Sequence, residues 1–210
     1  MTREANQLQN TGAWFNQRTG KLTASRMAAA INFLKSGGES SERRKLKIEI
    51  LAERLTGNIV PKYVTNEMQW GIDREPEAKD AFTERTGLEV IDVGFVDHPE
   101  IDMCGCSPDG YIRSENALIE IKCPSTSTMI SWLLWGKVPD EHIPQMTLQS
   151  ACFGGIPVYF CAYDPRLPEK QHLFIRKFQP TPEQIADMEQ KAVHFLNEIE
   201  LMFEQLTVSE

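Results

Sequence analysis

Alternation of apolar and polar residues first marks a β-hairpin in the middle of the chain. The run Ala117–Cys123 alternates in this way, and Tyr111–Arg113 precedes it after a short polar stretch. Such alternation is typical of strands that bury one face. We expect the two strands to pair antiparallel around a turn at Ser114-Glu115.

This hairpin register sets two carboxylates against each other. With the turn at that position, Asp109 lies directly opposite Glu120, and Lys122 shares the strand face of Glu120 because residues two apart point the same way. Opposed side chains are about 4.5–5.5 Å apart at Cβ, where like charges repel. A divalent cation between the carboxylates would remove this repulsion, and the lysine suits a nearby water or phosphate.

The remaining periodicity predicts an α/β fold in which a central mixed β-sheet is flanked by helices. Pro76 lies inside one helical pattern, so we expect a kink or a break near Glu75. The predicted helices run from Thr23 or Ser25 to about Leu34, and over Glu42–Leu55, Asn66–Arg85, Ser125–Leu134, Glu141–Phe153 and Pro182–Leu206. The predicted strands are Glu89–Asp97, Met103–Cys106, Tyr111–Arg113, Leu118–Cys123, Pro157–Tyr163 and His172–Phe178.

Two helical patterns leave alternatives open. In the last helix, apolar residues recur at alternating intervals of three and four, which fits either packing on the protein's own sheet or a subunit contact. In an earlier helix, Trp132 and Trp135 fit either a core position or stacking on nucleic-acid bases. The apolar residues of the last helix are Ile185, Met188, Ala192, Phe195, Ile199, Met202 and Leu206.

The two opposed carboxylates and the lysine suit metal-assisted phosphodiester hydrolysis. Mg²⁺ prefers hard oxygen ligands, and a bound ion both stabilises charge on phosphoryl oxygens and acidifies a water. Lys122 can hold that water or neutralise charge in the transition state. The alternative for this motif alone is a surface hairpin with solvated charges.

Six sequence blocks extend the motif and carry a family resemblance. Pro108-Asp109 followed by Glu120-Ile121-Lys122 has the form of the PD-(D/E)xK nuclease core. Together with its flanking blocks it resembles the phage lambda exonuclease family, also called YqaJ-like viral recombinases. One departure is Thr147, where the family often has a second glutamine. The blocks are Trp14…Arg18-Thr19-Gly20…Thr23-Ala24-Ser25, Trp70-Gly71…Glu75-Pro76…Ala78, Cys106–Gly110, Glu120–Pro124, Gln145 and Tyr163–Arg166.

The resemblance implies a restriction-endonuclease-like core and a role for each matched residue. Catalysis would fall to Glu75, Asp109, Glu120 and Lys122; metal binding to Asp109, Glu120 and the backbone carbonyl of Ile121; binding of a terminal 5′-phosphate to Arg18, Ser25, Ser107 and Gln145; and strand separation to Lys35 and Met68.

The resemblance also implies an activity and partners. The expected enzyme is a Mg²⁺-dependent exonuclease, with Mn²⁺ as a substitute, that degrades one strand of linear duplex DNA 5′→3′ to mononucleotides and leaves a 3′ tail. It would act as a homotrimer beside a single-strand annealing recombinase, in a bacterial cell and of phage or prophage origin. The rivals are a restriction-type endonuclease and a catalytically inert DNA-end-binding protein.

Composition adjusts this picture only in part. A length of 210 residues suggests one nuclease domain, with a basic helical part at 1–62, a catalytic core at about 63–180 and a last helix at about 182–206. The net charge of −8 divides into +6 for residues 1–62 and −14 for residues 63–210. The basic segment could track DNA phosphates, although such asymmetry also arises by chance.

Cysteine usage and hydropathy bear on the compartment. The five cysteines include no C-x-x-C pair, which argues for reduced thiols and against an iron–sulfur site. No stretch approaches the ~20 apolar residues of a membrane span, and the N-terminus resembles no signal peptide. We therefore expect a cytoplasmic protein with no membrane partner.

Overall fold

The computed structural model describes residue 9 and residues 11–60 and 63–208. These residues form seven α-helices and seven β-strands. The helices are α1 (Gly12–Arg18), α2 (Met27–Ala30), α3 (Ser41–Thr56), α4 (Asn66–Thr86), α5 (Thr126–Trp135), α6 (Ile143–Cys152) and α7 (Pro182–Thr207). The strands are β1 (Leu22–Thr23), β2 (Val96–Asp97), β3 (Cys104–Cys106), β4 (Gly110–Ile112), β5 (Ala117–Lys122), β6 (Val158–Tyr163) and β7 (Leu173–Phe178).

The strands build two mixed sheets, which confirms the α/β class but divides the single sheet that the sequence predicted. The order in the smaller sheet is β1-β3-β2 and in the larger sheet β4-β5-β6-β7. In each sheet one strand pair is parallel, namely β1 with β3 and β5 with β6. The larger sheet carries the hairpin, and the carboxyl ends of β5 and β6 meet at one edge.

The predicted strand over residues 89–97 is wrong for most of its length. Ile91 forms a single bridge to Tyr111, whereas Val96 and Asp97 pair with the smaller sheet. The segment therefore changes partners midway and links the two sheets. Two glycines make the crossing feasible: a Cβ on Gly105 would lie 2.4 Å from Phe95, and one on Gly110 would lie 2.3 Å from Val90.

The helix boundaries follow local capping chemistry. Ser40 accepts a hydrogen bond from the amide of Arg43 at the start of α3, and Gly57 ends that helix in the left-handed conformation. Thr65, Ser125 and Thr181 cap α4, α5 and α7 in the same way. These caps explain why the predicted ends of the long helices lie within a few residues of the observed ones.

α4 runs without a break through Pro76, contrary to one of the two outcomes predicted for it. Proline removes one amide, which leaves the carbonyl of Ile72 without its helical partner. Ile72 is 52% exposed, so water can serve that carbonyl. Solvation on the outer face thus allows the helix to continue to Thr86.

α7 buries the apolar seam that its spacing predicted, and helices are its main neighbours. Its buried residues include Ala192, Phe195 and Ile199, and they join a core made with residues of α2, α3 and α6. The same core contains Leu22 of β1 and Cys104 and Cys106 of β3, so the helix shares its core with the smaller sheet as well as with these helices. At the far end of the helix Leu201 and Leu206 remain exposed.

The first thirty residues differ most from expectation. The sequence predicted one helix from residue 23 or 25 to about residue 34, whereas the structure has α1, strand β1, a 3-10 turn over Ala24–Arg26 and the short α2. Thr11 caps α1 by accepting from the amide of Trp14. The two residues of β1 gain their strand geometry from pairing with β3, which local sequence does not reveal.

Candidate active site

Asp109 is fixed at the head of the hairpin by two backbone contacts. The strand register pairs Gly110 with Ile119, so Asp109 opposes Glu120 as the sequence predicted. The amide of Asp109 donates to the carbonyl of Ile119 at 3.1 Å. In turn, the amide of Ile121 donates to Asp109 Oδ2 at 2.6 Å. The carboxylate is thereby aimed across the strand pair.

Glu120 lies in the middle of β5 and is almost fully buried. Three side chains donate to its carboxylate. Lys122 Nζ and Gln145 Nε2 donate to Oε1, the latter at 2.6 Å, and Gln149 Nε2 donates to Oε2 at 2.6 Å. A buried carboxylate needs such partners because desolvation of an unpaired charge is costly.

The charges of this cluster are unbalanced. The pKa of Asp109 is raised well above its usual value because protein surrounds the carboxyl, and because the negative charges of Glu120 and Glu75 outweigh the positive charge of Lys122. Burial alone would lower the pKa of Lys122, but Glu120 and Asp109 together raise it. The ammonium is therefore charged at neutral pH, and ionisation of Asp109 leaves the cluster with excess negative charge.

This excess negative charge fits a divalent cation. Within the described ranges, no three His, Cys, Asp or Glu side chains converge as a metal site. Mg²⁺ does not require three, because it commonly takes one or two carboxylates with waters and phosphate oxygens. Asp109, Glu120 and the carbonyl of Ile121 are the oxygen donors that would hold it. The opposition of Asp109 and Glu120 across the hairpin, which raises the pKa of Asp109, supports this fit.

Glu75 borders the cluster from α4. It is half-buried, and its Oε1 lies 3.0 Å from Lys79 Nζ, which also contacts Asp92 Oδ1 at 2.8 Å. Its charge contributes to the raised pKa of Asp109 and to that of Lys122. The structure thus places Glu75 within electrostatic reach of the carboxylate pair, with Lys79 as its direct partner.

The residues predicted to hold a 5′-phosphate converge only in part. Trp14 joins two of them: its Nε1 donates to Ser107 Oγ at 2.9 Å, and the Arg18 guanidinium lies 3.9 Å from its ring centre. Ser25 is exposed on the 3-10 turn and lies 3.2 Å from Thr23 through their hydroxyls. Gln145 instead contacts Glu120.

Arg18 has the charge that an anion pocket requires. Burial and, to a lesser extent, the neighbouring Arg26 lower its pKa to about 10, while Glu53 opposes the shift. Arg18 is therefore protonated at neutral pH. Arg26 is held by Glu53 through contacts of 2.8 and 3.2 Å, which leaves Arg18 as the cation available to a phosphate.

Comparison with known proteins now decides the family. A family model described as the YqaJ-like viral recombinase domain matches residues 13–155. The chain belongs to this family. The match includes Arg18, Asp109, Glu120 and Gln145, and it confirms the resemblance to the phage lambda exonuclease family. A comparison with curated proteins found no match.

Solved structures give the same family and fold. The chain is similar to an alkaline exonuclease, LHK-Exo, from Laribacter hongkongensis, with 37% identity, a TM-score of 0.85 and coverage of 93% of this chain and 96% of that chain. A second structure of that exonuclease is a complex with dAMP, with the same identity, coverage and TM-score. A phage-related exonuclease from Haemophilus somnus 129PT shares the fold at 13% identity and a TM-score of 0.66, covering 89% of this chain and 96% of that one.

The two residues predicted to separate strands lie at the surface of this YqaJ-like chain. Lys35 is exposed in a tight turn that brings Phe33 opposite Glu39. Met68 is 48% exposed in the first turn of α4, where its amide donates to Thr65. Exposure suits a contact with DNA, and their role stays a prediction.

Gln149 is the site residue that sequence reasoning missed. Thr147, at the position of the family's second glutamine, instead donates its hydroxyl to the carbonyl of Ile143 within the helix. Gln149 supplies the second amide, four residues after Gln145 and on the same face of α6. That i, i+4 spacing of two glutamines was the signal available in the sequence.

The aromatic residues divide between core and surface. Trp132 is 5% exposed and packs in the core, whereas Trp135 is 64% exposed at the end of α5. Trp70 was not singled out by itself, but two guanidinium groups contact its ring, with Arg74 4.8 Å and Arg166 4.4 Å from the ring centre. Of the two tryptophans for which the sequence left base stacking open, Trp135 has the exposure that stacking requires.

No helix of the described chain is long and apolar enough to span a membrane.

Proposed function

We propose that this protein is a Mg²⁺-dependent 5′→3′ exonuclease that degrades one strand of linear duplex DNA to mononucleotides. The observation that carries the proposal is the opposition of Asp109 and Glu120 with Lys122 beside them. Membership of the YqaJ-like family and 37% identity to an alkaline exonuclease support a nuclease. The complex of that relative with dAMP supports a mononucleotide product.

The chain's own residues would each contribute a distinct step. A bound Mg²⁺ would stabilise charge on the phosphoryl oxygens and acidify a water. Lys122 would hold the attacking water, which adds to phosphorus while the bond to the 3′-oxygen breaks. The products are a mononucleotide and a strand shortened by one residue that again bears a 5′-phosphate. Glu75 would orient water or metal from α4.

The phosphate pocket would hold the 5′ end of the strand at which digestion starts. Arg18 offers a charged guanidinium, and the hydroxyls of Ser107 and Ser25 add hydrogen-bond donors. Gln145 is proposed to bridge this pocket and the acid cluster, because it contacts Glu120 from the first turn of α6. Each cut regenerates a 5′-phosphate, so the pocket would be refilled after every step.

The wider arrangement is proposed from the family. Residues 1–210 would form one nuclease domain that assembles as a trimer around DNA, with Lys35 and Met68 at the point of strand separation. The 3′-tailed product would pass to a single-strand annealing recombinase. The proposed setting is the cytoplasm of a bacterial cell, with phage or prophage origin.

Linear and covalently closed circular duplex DNA distinguish this activity from its rivals. With Mg²⁺, the protein should digest linear duplex and leave closed circles intact, since only linear DNA has an end. Cutting of circles would support a restriction-type endonuclease. End binding without digestion of linear DNA, in Mg²⁺ or Mn²⁺, would support the inert DNA-end-binding protein.

A further inference from the structure

The amide of Gln149 contacts the Glu120 carboxylate from a fully enclosed position. Its side chain is 0% exposed, and Nε2 donates to Glu120 Oε2 at 2.6 Å. Gln149 Oε1 is buried as well, with no hydrogen-bond partner in the described part of the chain. The amide is therefore held in one orientation by a single interaction.

That orientation follows from the charge of Glu120. If the amide were flipped, its oxygen would face a carboxylate oxygen, and two acceptors would repel. With the observed orientation, the NH₂ group faces the carboxylate and the carbonyl oxygen goes without a partner. The hydrogen bond from Gln149 Nε2 thus fixes the Glu120 carboxylate in one orientation, as a hydrogen-bonded partner behind a metal ligand does.

The distribution of donors over the two Glu120 oxygens is uneven. A carboxylate has about four lone-pair sites, two on each oxygen. Lys122 and Gln145 both donate to Oε1, whereas Gln149 alone among the described residues donates to Oε2. Oε2 is therefore the oxygen with an open site for a cation.

From this geometry we infer that Gln149 is a positioning residue that aims Glu120 Oε2 at the metal. The inference rests on the proposed metal-dependent function and deepens it. A neutral amide suits this role because it fixes the carboxylate without cancelling its charge. Lys122, in contrast, neutralises the carboxylate that it contacts. Partners of this kind behind a metal ligand commonly change metal affinity about 10- to 100-fold.

The test is Gln149→Met, which keeps the length of the side chain and removes the donor. Calorimetric titration with Mn²⁺, without DNA, should show metal affinity about 10- to 100-fold weaker than in the unaltered protein. Digestion of linear duplex should require correspondingly more Mg²⁺ and recover when Mg²⁺ is raised. The KM for DNA ends should be unchanged, because Gln149 is buried away from DNA.

Two further variants make the test decisive. Gln190→Met, on the exposed side of α7, makes the same chemical change away from the site and should leave Mn²⁺ affinity unaltered. Gln149→Asn keeps an amide that is one methylene too short to reach Glu120, and it replaces Gln149→Met if that variant does not melt cooperatively in EDTA. It should show the same loss of Mn²⁺ affinity.

The outcomes separate the inference from the proposed function. Equal Mn²⁺ affinity in the unaltered protein and the folded Gln149 variant would overturn the positioning role and leave the nuclease proposal intact. Weakened affinity that no excess of Mg²⁺ converts into activity would also overturn it. Failure of the unaltered, folded protein to bind Mn²⁺ or Mg²⁺ would instead refute the proposed function.

Discussion

Replacing Asp109 with asparagine should stabilise the metal-free protein while abolishing its activity. In the folded state the Asp109 carboxyl opposes Glu120, and its pKa is raised by burial and by that neighbouring charge. Asparagine removes the charge but keeps an oxygen that can accept the hydrogen bond from the amide of Ile121. The fold therefore loses a repulsion without losing the backbone contact.

The magnitude can be worked from the register. Opposed residues on paired strands are about 5 Å apart at Cβ. Two unit charges at that distance repel by about 3 kcal/mol at an effective dielectric constant near 20. Attraction between Asp109 and Lys122 offsets part of this repulsion, so we expect a net gain of about 1–2 kcal/mol. For a chain of this size that gain raises the melting temperature by about 2–8 °C.

The pH dependence has a definite sign. Because folding raises the pKa of Asp109, the folded state binds its proton more tightly than the unfolded chain does. The unaltered protein therefore loses stability as pH rises above the unfolded value of about 3.9, until the folded pKa is passed. The advantage of Asp109→Asn should therefore grow as pH rises through the raised folded pKa and should vanish toward pH 3.

Thermal melting in EDTA and in Mg²⁺ provides the assay. The unaltered protein should gain stability from Mg²⁺, whereas Asp109→Asn should not, and it should not digest linear duplex. A melting temperature in EDTA at pH 8 below that of the unaltered protein would refute the electrostatic reasoning. Activity near that of the unaltered protein would refute the metal assignment of Asp109.

Four further expectations concern the rest of the chain. Arg43→Met should lower the free energy of unfolding, measured by urea denaturation at pH 7, by about 2–3 kcal/mol. This loss is somewhat smaller than for fully buried pairs because Glu198 is partly exposed. The loss of unfolding free energy should shrink as pH falls from about 4.5 toward 2, because hydrogen bonds from Arg43 lower the pKa of Glu198 to about 2. An undiminished loss at low pH would contradict the pairing of Arg43 with Glu198. Arg18→Ala should reduce the preference in digestion rate for 5′-phosphorylated over 5′-hydroxyl duplex. An unchanged preference would contradict the proposed phosphate pocket. Lys122→Met should slow digestion while Mn²⁺ affinity in calorimetry is largely kept; a rate equal to that of the unaltered protein would exclude a catalytic role. Light scattering after size exclusion should return about three chain masses, and one chain mass at micromolar concentration would contradict the proposed trimer around DNA.

The hairpin could be predicted because its information is local. Alternation over Ala117–Cys123 and the turn at Ser114-Glu115 fixed the pairing of Gly110 with Ile119, which the structure confirms. A shift by one residue would turn every buried side chain of the strand to the wrong face. The register of the two carboxylates is therefore a direct consequence of the apolar pattern.

Long-range pairing is what the sequence could not reveal. β1 consists of two residues, Leu22 and Thr23, that are extended because they pair with β3 about eighty positions later. The segment at 89–97 alternates like one strand, yet it serves two sheets. Neither fact leaves a local signal, because both depend on which distant strand lies alongside.

The sequence also could not reveal which charges of the basic N-terminal segment are paired in the fold. Its +6 balance suggested a surface for DNA phosphates, but many of its cations bind carboxylates of the protein itself. Arg44 and Lys45 remain largely exposed on α3. Net charge counts residues and does not tell which are paired. Ion pairs among the described residues of this segment include Lys21 with Asp97, Arg26 with Glu53, Arg43 and Lys47 with Glu39 and Glu198, Arg44 with Glu39, Lys45 with Glu49, and Arg54 with Glu200.

Digestion of a linear duplex labelled separately at its 5′ and 3′ ends tests the central claim most directly. In Mg²⁺, the 5′ label should appear as a mononucleotide at the earliest times, whereas the 3′ label should stay in long, single-stranded product. EDTA and Asp109→Asn should each abolish the reaction. Early release of the 3′ label, or equal digestion in EDTA, would contradict a metal-dependent 5′→3′ exonuclease built on Asp109 and Glu120.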